Sequence, residues 1–449
     1  MQGRPSYTSL RAIGKPVDLA IFAIPQEAVD AAVDDAIAAG VRNIVLFSSG
    51  YAELGAAGAA AQRQLAAKTK AAGIRVLGPN CLGMMNVANQ VYATFSPAPN
   101  AGRVPLGRIG LVSQSGAFGA YAYSMARERG IGLSHWVTTG NEVDVQVADC
   151  IAWMATDPAT EVIMAYMEGC QDGPRLCAAL QQAQNQRKPV VMVKVGTTAI
   201  GAAATASHTA SLAGDDAVYD AIFARYGVLR AQTLTEFFDL AASVSIAGIP
   251  HDNSIGLYTV SGGVGALMAD AASQQGMAVT ELSASAQATL RDWVPFCAPR
   301  NPVDITGQIT NDPSLIERSA ALMLADRPFG AWMGFMAAAG ASPAFWPVLT
   351  KLVASLKEQF PQTVLAISTL LSPARRAELE AMGCLVFTDP SAGINTLASL
   401  AKLRQSFDTT ASPDTASTPS IATVNLPSSP LSESQSLAML KAAGIPVAE

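Results

Sequence analysis

A chain of 449 residues that is 50% apolar and 14% charged can bury several cores, which excludes a disordered polypeptide. A net charge of −6 argues against nucleic acid as the main partner, because phosphate backbones call for basic faces. No apolar run reaches the ~20 residues of a bilayer helix, no basic-then-apolar leader opens the chain at Met1-Gln2-Gly3-Arg4-Pro5, and six scattered cysteines without a C-x-x-C pair suit a reduced, cytoplasmic enzyme with no metal site.

Short apolar runs alternate with Ala-rich helical stretches from the start. Strands are predicted at 17–24, 43–47 and 74–77, with helices at 27–39 and 59–72 between them. Continuous apolar strands joined by helices mean a parallel sheet covered on both faces. The turn-rich passage Ser96 to Gly102 closes this first domain, 1–101. A second domain, 102–250, carries strands at 109–112, 133–137, 162–166 and 189–195 and ends on a helix at 234–246. A third, 251–405, repeats the logic with strands at 255–260, 331–335, 363–367 and 385–387. Residues 406–430 read as a solvated linker rich in Thr, Ser and Pro, and 431–443 resume a helical pattern. Because no strand precedes Gly3 and a lone helix cannot finish a fold, both ends are expected to be cut.

Three segments are shaped for phosphate chemistry. In Ile109-Gly110-Leu111-Val112-Ser113-Gln114-Ser115-Gly116 a strand turns tightly into a helix, whose free N–H groups and dipole favour an anion. Leu257-Tyr258-Thr259-Val260-Ser261-Gly262-Gly263 repeats the arrangement at the head of the third domain. Ser207-His208-Thr209 places one of three histidines beyond a run of small residues, 196–206, expected to be a mobile loop. A swinging imidazole can accept and pass on a phosphoryl group. Tyr166-Met167-Glu168-Gly169 sets a carboxylate at a strand's carboxyl end, where it could fix the imidazole tautomer. Cys81 lacks an evident base and reads as packing, His135 as structural and His251 as solvated. Asn301-Pro302-Val303-Asp304 reads as a docking turn. Glu142 and Asp144 read equally as helix caps or as groups reaching the site.

Gly78-Pro79-Asn80-Cys81-Leu82-Gly83, Leu111 to Gly116, Thr139-Gly140-Asn141-Glu142, Tyr166 to Gly169, Ser207-His208-Thr209 and Asn301 to Asp304 occur in one order. Together they resemble the NDP-forming acyl-CoA synthetases, of which ADP-forming acetate–CoA ligase is one and succinyl-CoA ligase a more distant relative. The likeness is continuous from about residue 3 to 403, and 431–447 resemble the opening of the family's ATP-grasp domain.

The resemblance implies an α/β fold, with a partial CoA-binding Rossmann-like domain followed by two flavodoxin-like, parallel-sheet domains. It implies reversible conversion of acid, CoA and ATP to acyl-CoA, ADP and phosphate through an acyl-phosphate and a phosphohistidine. It assigns His208 as the phosphorylated histidine and Glu168 as its partner. It assigns Ser115 and Gly116, with Ser261, Gly262 and Gly263, to the phosphoryl group, and Ile24, Pro25, Ser49, Gly50 and Asn80 to CoA. A carboxylic acid or acyl-CoA substrate follows, with ATP or ADP and Mg²⁺ on an ATP-grasp β-type subunit or fused domain, and an oligomeric assembly. The competing readings are the CoA-binding regulatory module of a protein lysine acetyltransferase and an inactive truncated ligase; retention of His208 argues against the first.

Overall fold

The computed structural model describes residue 3 and residues 5–209, 214–409 and 431–442, with the side chains of 205–209 outside that description. It divides into two units, Met1–Thr409 and Thr410–Glu449. In the first unit three sheets follow one another along the chain.

The first sheet is built by β1 (Leu19–Phe22), α1 (Gln26–Ala38), β2 (Asn43–Leu46), α2 (Ala56–Ala71) and β3 (Arg75–Leu77). Its strands are parallel in the order β1-β2-β3, and its core holds Phe22, Val29, Ile44 and Val76. Next comes an antiparallel hairpin, β4 (Gly83–Asn86) and β5 (Val91–Thr94). The hairpin does not extend the first sheet; β4 pairs with a strand of the second. Sheet membership therefore changes between Leu77 and Gly83, ahead of the turn at Ser96.

The second sheet takes β6 (Leu106–Ser113), β7 (Leu133–Thr138), β8 (Val162–Met167), β9 (Val190–Lys194) and the short β10 (Leu229–Arg230). Helices α3 (Gly116–Glu128), α4 (Val147–Thr156), α5 (Gly173–Asn185), α6 (Ala199–Thr209), α7 (Asp216–Tyr226) and α8 (Leu234–Ala247) connect and cover them. The spatial order is β10-β9-β8-β6-β7-β4-β5. Leaving aside the added hairpin, this is the 2-1-3-4-5 order of flavodoxin-like sheets. Strand β8 is apolar along its length (Val-Ile-Met-Ala-Tyr-Met) because helices cover both faces.

The third sheet uses the same order. Strands β11 (Ile255–Thr259), β12 (Val303–Asp304), β13 (Ala331–Phe335), β14 (Val364–Ser368) and β15 (Cys384–Phe387) stand as β12-β11-β13-β14-β15, all parallel. Helices α9 (Gly262–Gln274), α10 (Ala284–Trp293), α11 (Ser314–Asp326), α12 (Trp346–Gln359), α13 (Pro373–Ala381) and α14 (Pro390–Thr409) complete the domain. The Asn301 side chain bonds Leu257 N, Ile255 O and Thr280 O, so the Asn-Pro-Val-Asp turn ties β12 to β11 within the third domain.

Helix α14 continues through Thr409, past the point where a linker was expected. Its first half packs Ile394 and Leu397 into the third domain, and its second half packs Leu400, Leu403 and Phe407 into the second. Residues 410–430 lie outside the described residues. In the second unit the described element is α15 (Glu433–Ala442). No helix among the described residues is long and apolar enough to cross a membrane.

Candidate active site

In a 2-1-3-4-5 sheet the crossovers leave the first strand in opposite directions, which opens a crevice at the carboxyl ends of its first and third strands. Here those strands are β6 and β8. Ser113 ends β6, and Ser115 caps α3 by accepting from Phe118 N at 3.3 Å. The Ser113 hydroxyl donates to Ser115 O at 2.6 Å and fixes the turn. Glu168 follows β8 directly. A cavity of about 250 Å³ lies at this edge, and Asn80, Ser115, Gly116 and Glu168 all line it.

Behind this rim lies a hydrogen-bond chain. The Gln114 side-chain oxygen accepts from Glu168 N at 2.7 Å and Gly169 N at 3.0 Å. Its amide nitrogen donates to Glu142 Oε2 at 3.0 Å. Glu142 also accepts from Thr139 Oγ1 at 2.9 Å and from Val147 N at 2.8 Å. Glu142 thus caps α4 and does not itself line the cavity; it touches Gln114, which does. Glu142 is 3% exposed, and burial pushes its carboxyl up to about 7 against the lowering effect of these donors. Asp144 instead ties the first sheet down, accepting from Arg75 Nε at 2.7 Å and Val76 N at 2.9 Å.

The CoA-assigned residues share one edge. Ile24 and Pro25 follow β1, Ser49 and Gly50 follow β2, and Asn80 follows β3, so parallel strands deliver all five to their common carboxyl end. Pro25, Ser49 and Asn80 are exposed there. The Asn80 amide donates to Asn141 Oδ1 at 3.2 Å, and Glu53 accepts from Gly50 N at 2.6 Å and from the Asn141 amide. Burial pushes the Glu53 carboxyl up, but these donors outweigh it and hold the group below its ordinary value. Asn141 thus joins the first domain to the Thr139–Glu142 loop of the second. Gly140, at φ +61°, permits this approach, since a Cβ there would lie 2.3 Å from Pro79 O.

Other expectations are redistributed. Gly119, which the sequence offers beside Gly116 for close backbone approach to a ligand, faces packing: a Cβ would meet Thr138 Cγ2 at 2.5 Å. Ser261 caps α9 without a side-chain cap bond, Gly262 faces Asp304, and Gly263 has open space. These three follow β11 and open α9 at the third sheet's own switch point, and they do not line the cavity that holds Ser115. The expected mobile loop at 196–206 is helical instead, since α6 begins at Ala199 and runs through His208 to Thr209. Small residues that look flexible in sequence also favour a helix when Ala dominates. The His208 side chain lies outside the described residues. Cys81 is buried and its thiol is pushed up to about 12 by burial, which removes it as a nucleophile. His135 is buried edge-on to Trp153, with Nδ1 3.5 Å from Asp157, and is structural.

Sequence reasoning missed Lys194. It ends β9 opposite Met167, is 5% exposed, donates to Val195 O at 2.6 Å and sits 4.6 Å from the Tyr219 ring centroid. Burial lowers its pKa; the Asp216 and Glu168 carboxylates act the other way. A lone lysine closing an otherwise apolar strand was the available signal.

Three family models match in chain order: a CoA binding domain at residues 1–87, a succinyl-CoA ligase like flavodoxin domain at 106–244 and a ligase-CoA domain at 255–383. Fold and site thus define a CoA-ligase type of α/β protein. The acetate–CoA ligase (ADP-forming) I subunit alpha of Pyrococcus furiosus is 36% identical over 301 residues, covering 67% of this chain and 64% of that one. The II subunit alpha of the same organism is 32% identical, covering 73% and 70%. The dinucleotide forming acetyl-coenzyme A synthetase 1 of Ca. Korarchaeum cryptofilum, solved with phosphate and ADP, superposes with TM-score 0.81 at 26% identity, covering 91% and 87%. The chain belongs to the NDP-forming acyl-CoA synthetase family. It spans less than two thirds of the first of these relatives.

Proposed function

We propose that this chain is the CoA-handling, phosphohistidine-bearing part of an ADP-forming acyl-CoA synthetase, working with an ATP-grasp subunit or domain. The observation that carries this reading is the meeting of Asn80, Ser115, Gly116 and Glu168 at one cavity, where the CoA-binding domain adjoins the switch point of the second sheet. The bared N–H groups of α3 favour a phosphoryl group there.

In the ATP-forming direction, a phosphate oxygen attacks the thioester carbon; the C–S bond breaks and CoA leaves as the thiolate. The His208 imidazole then attacks phosphorus in the acyl-phosphate; an N–P bond forms, the acyl-O–P bond breaks and the carboxylate departs. ADP finally takes the phosphoryl group and frees the imidazole. Ile24, Pro25, Ser49, Gly50 and Asn80 would hold CoA along the first sheet's edge. Ser115 and Gly116 orient the phosphoryl group beside the thioester, Glu168 orients the His208 ring, and Ser261, Gly262 and Gly263 offer a second helix start. Among the described residues no group of three His, Cys, Asp or Glu side chains is arranged for a metal. Mg²⁺ would travel with the nucleotide on the ATP-grasp partner, in a mixed oligomer. The test supplies the chain and its ATP-grasp partner with ATP, CoA and a panel of acids. Release of ADP that requires both CoA and an acid supports the reading; ADP release indifferent to both refutes it.

A further inference from the structure

Part of the cavity lining is aromatic, and nothing in the phosphoryl chemistry requires that. Phe47, from the loop after β2, and Phe95, just past β5, both line it together with Leu82. The two rings meet edge-to-face, with centroids 4.8 Å apart and planes at 64°. Phe95 is 56% exposed, which for a phenyl ring leaves a face free to receive another apolar group. Phe47 is held from behind, since a Cβ on Gly83 would approach its ring at 2.9 Å. The pair therefore joins a ring from the first sheet, backed by Gly83, to one that follows the hairpin of the second.

Acetate has four heavy atoms and roughly twice the ~30 Å³ share of a water molecule. The cavity is about 250 Å³. With a carboxylate at the Ser115 turn, a methyl group would leave the aromatic lining untouched. A planar ring attached to the carboxyl-bearing carbon would cover the free face of Phe95 in the offset or edge-on geometry that aromatic pairs favour. We infer that Phe47 and Phe95 form the acyl pocket and select an aryl carboxylic acid over acetate. This rests on the ligase reading above, and it names that site's substrate class.

The test measures CoA-thioester formation from phenylacetate and from acetate, using the full chain with its ATP-grasp partner. Phenylacetate should be preferred in kcat/KM, and Phe95→Ala should lower the phenylacetate-to-acetate ratio by ~10–100-fold, the scale on which hydrophobic pockets discriminate. Phe95→Tyr, which keeps the ring, should hold the ratio within ~3-fold on that scale. Preference for acetate, or a ratio unmoved by Phe95→Ala, would overturn the inference. Saturation-transfer NMR of phenylacetate with the full chain gives a second readout that needs no turnover. Transfer that Phe95→Ala abolishes supports the pocket, and absence of transfer to the wild-type chain sinks it. Transfer without thioester from any acid would instead refute the ligase reading and leave the aryl pocket standing.

Discussion

At the scale of single residues, the site depends on a chain that runs from Gln114, which lines the cavity, to the buried Glu142 behind it. Gln114 orients the Glu168 backbone, and Glu142 orients Gln114. In Glu142→Gln an amide NH₂ would face the Gln114 NH₂, donor against donor. Either a buried donor stays unsatisfied, at ~1–3 kcal/mol, or Gln114 turns over and releases Glu168 N and Gly169 N. Denaturant titration should show that loss, and phosphoryl transfer should slow while CoA affinity is kept. Because the folded-state carboxyl is raised to about 7 from an ordinary 4.5, its contribution to stability is complete below pH 4.5 and is lost as pH climbs to 7. Wild-type stability relative to Glu142→Gln should therefore fall across that window and flatten above it. A difference rising with pH would contradict the burial argument. Lys194→Met removes a buried charge while keeping the apolar stem, so stability should change by less than ~1.5 kcal/mol. Phosphoryl transfer should nonetheless fall, as a cation that acts on Glu168 through its field is gone; unchanged transfer would confine Lys194 to packing.

At the scale of elements, glycines that look alike in sequence separate by what surrounds them. Gly119→Ala drives a methyl group into Thr138, and overpacking of this kind costs ~1–3 kcal/mol, readable as a lower denaturation midpoint. Gly263→Ala meets open space and should leave that midpoint in place. Strands β11, β13, β14 and β15 and helix α8 were legible because long apolar runs between turn signals leave few alternatives; β13 was placed to the residue. The hairpin β4–β5 was not. Its strands are four residues each, its turn Val87-Ala88-Asn89-Gln90 holds neither Gly nor Pro, and its partner β7 lies about fifty residues further along, so its pairing is a tertiary fact. The same holds for Gln114 and Glu142, separated by 28 positions in sequence and joined only by the fold. The 196–206 segment misled for the opposite reason: Ala and Gly together suggest mobility, whereas Ala alone carries the helix α6.

For the first unit as a whole, two sheets of one topology share a strut. Helix α14 begins in the core of the third domain and ends in that of the second, where Phe407 is buried and Gln184 donates to Ser406 Oγ at 2.8 Å. Phe407→Ala should cost ~3–5 kcal/mol, as deletions of buried rings do. The loss should fall on the second domain first, so that limited proteolysis opens residues 102–250 before 251–405. Simultaneous cleavage of both would mean that the helix does not bridge two separable cores.

The account stands on a phosphoryl group moving between the cavity at Ser115 and a nucleotide through His208. Its most direct measurement incubates the chain and its ATP-grasp partner with ATP labelled in the terminal phosphate, then maps the acid-labile, base-stable label by peptide. The label should sit on the peptide bearing His208, vanish in His208→Asn, and be discharged by acid and CoA together. Label that persists in His208→Asn, or that acid and CoA leave in place, would contradict it.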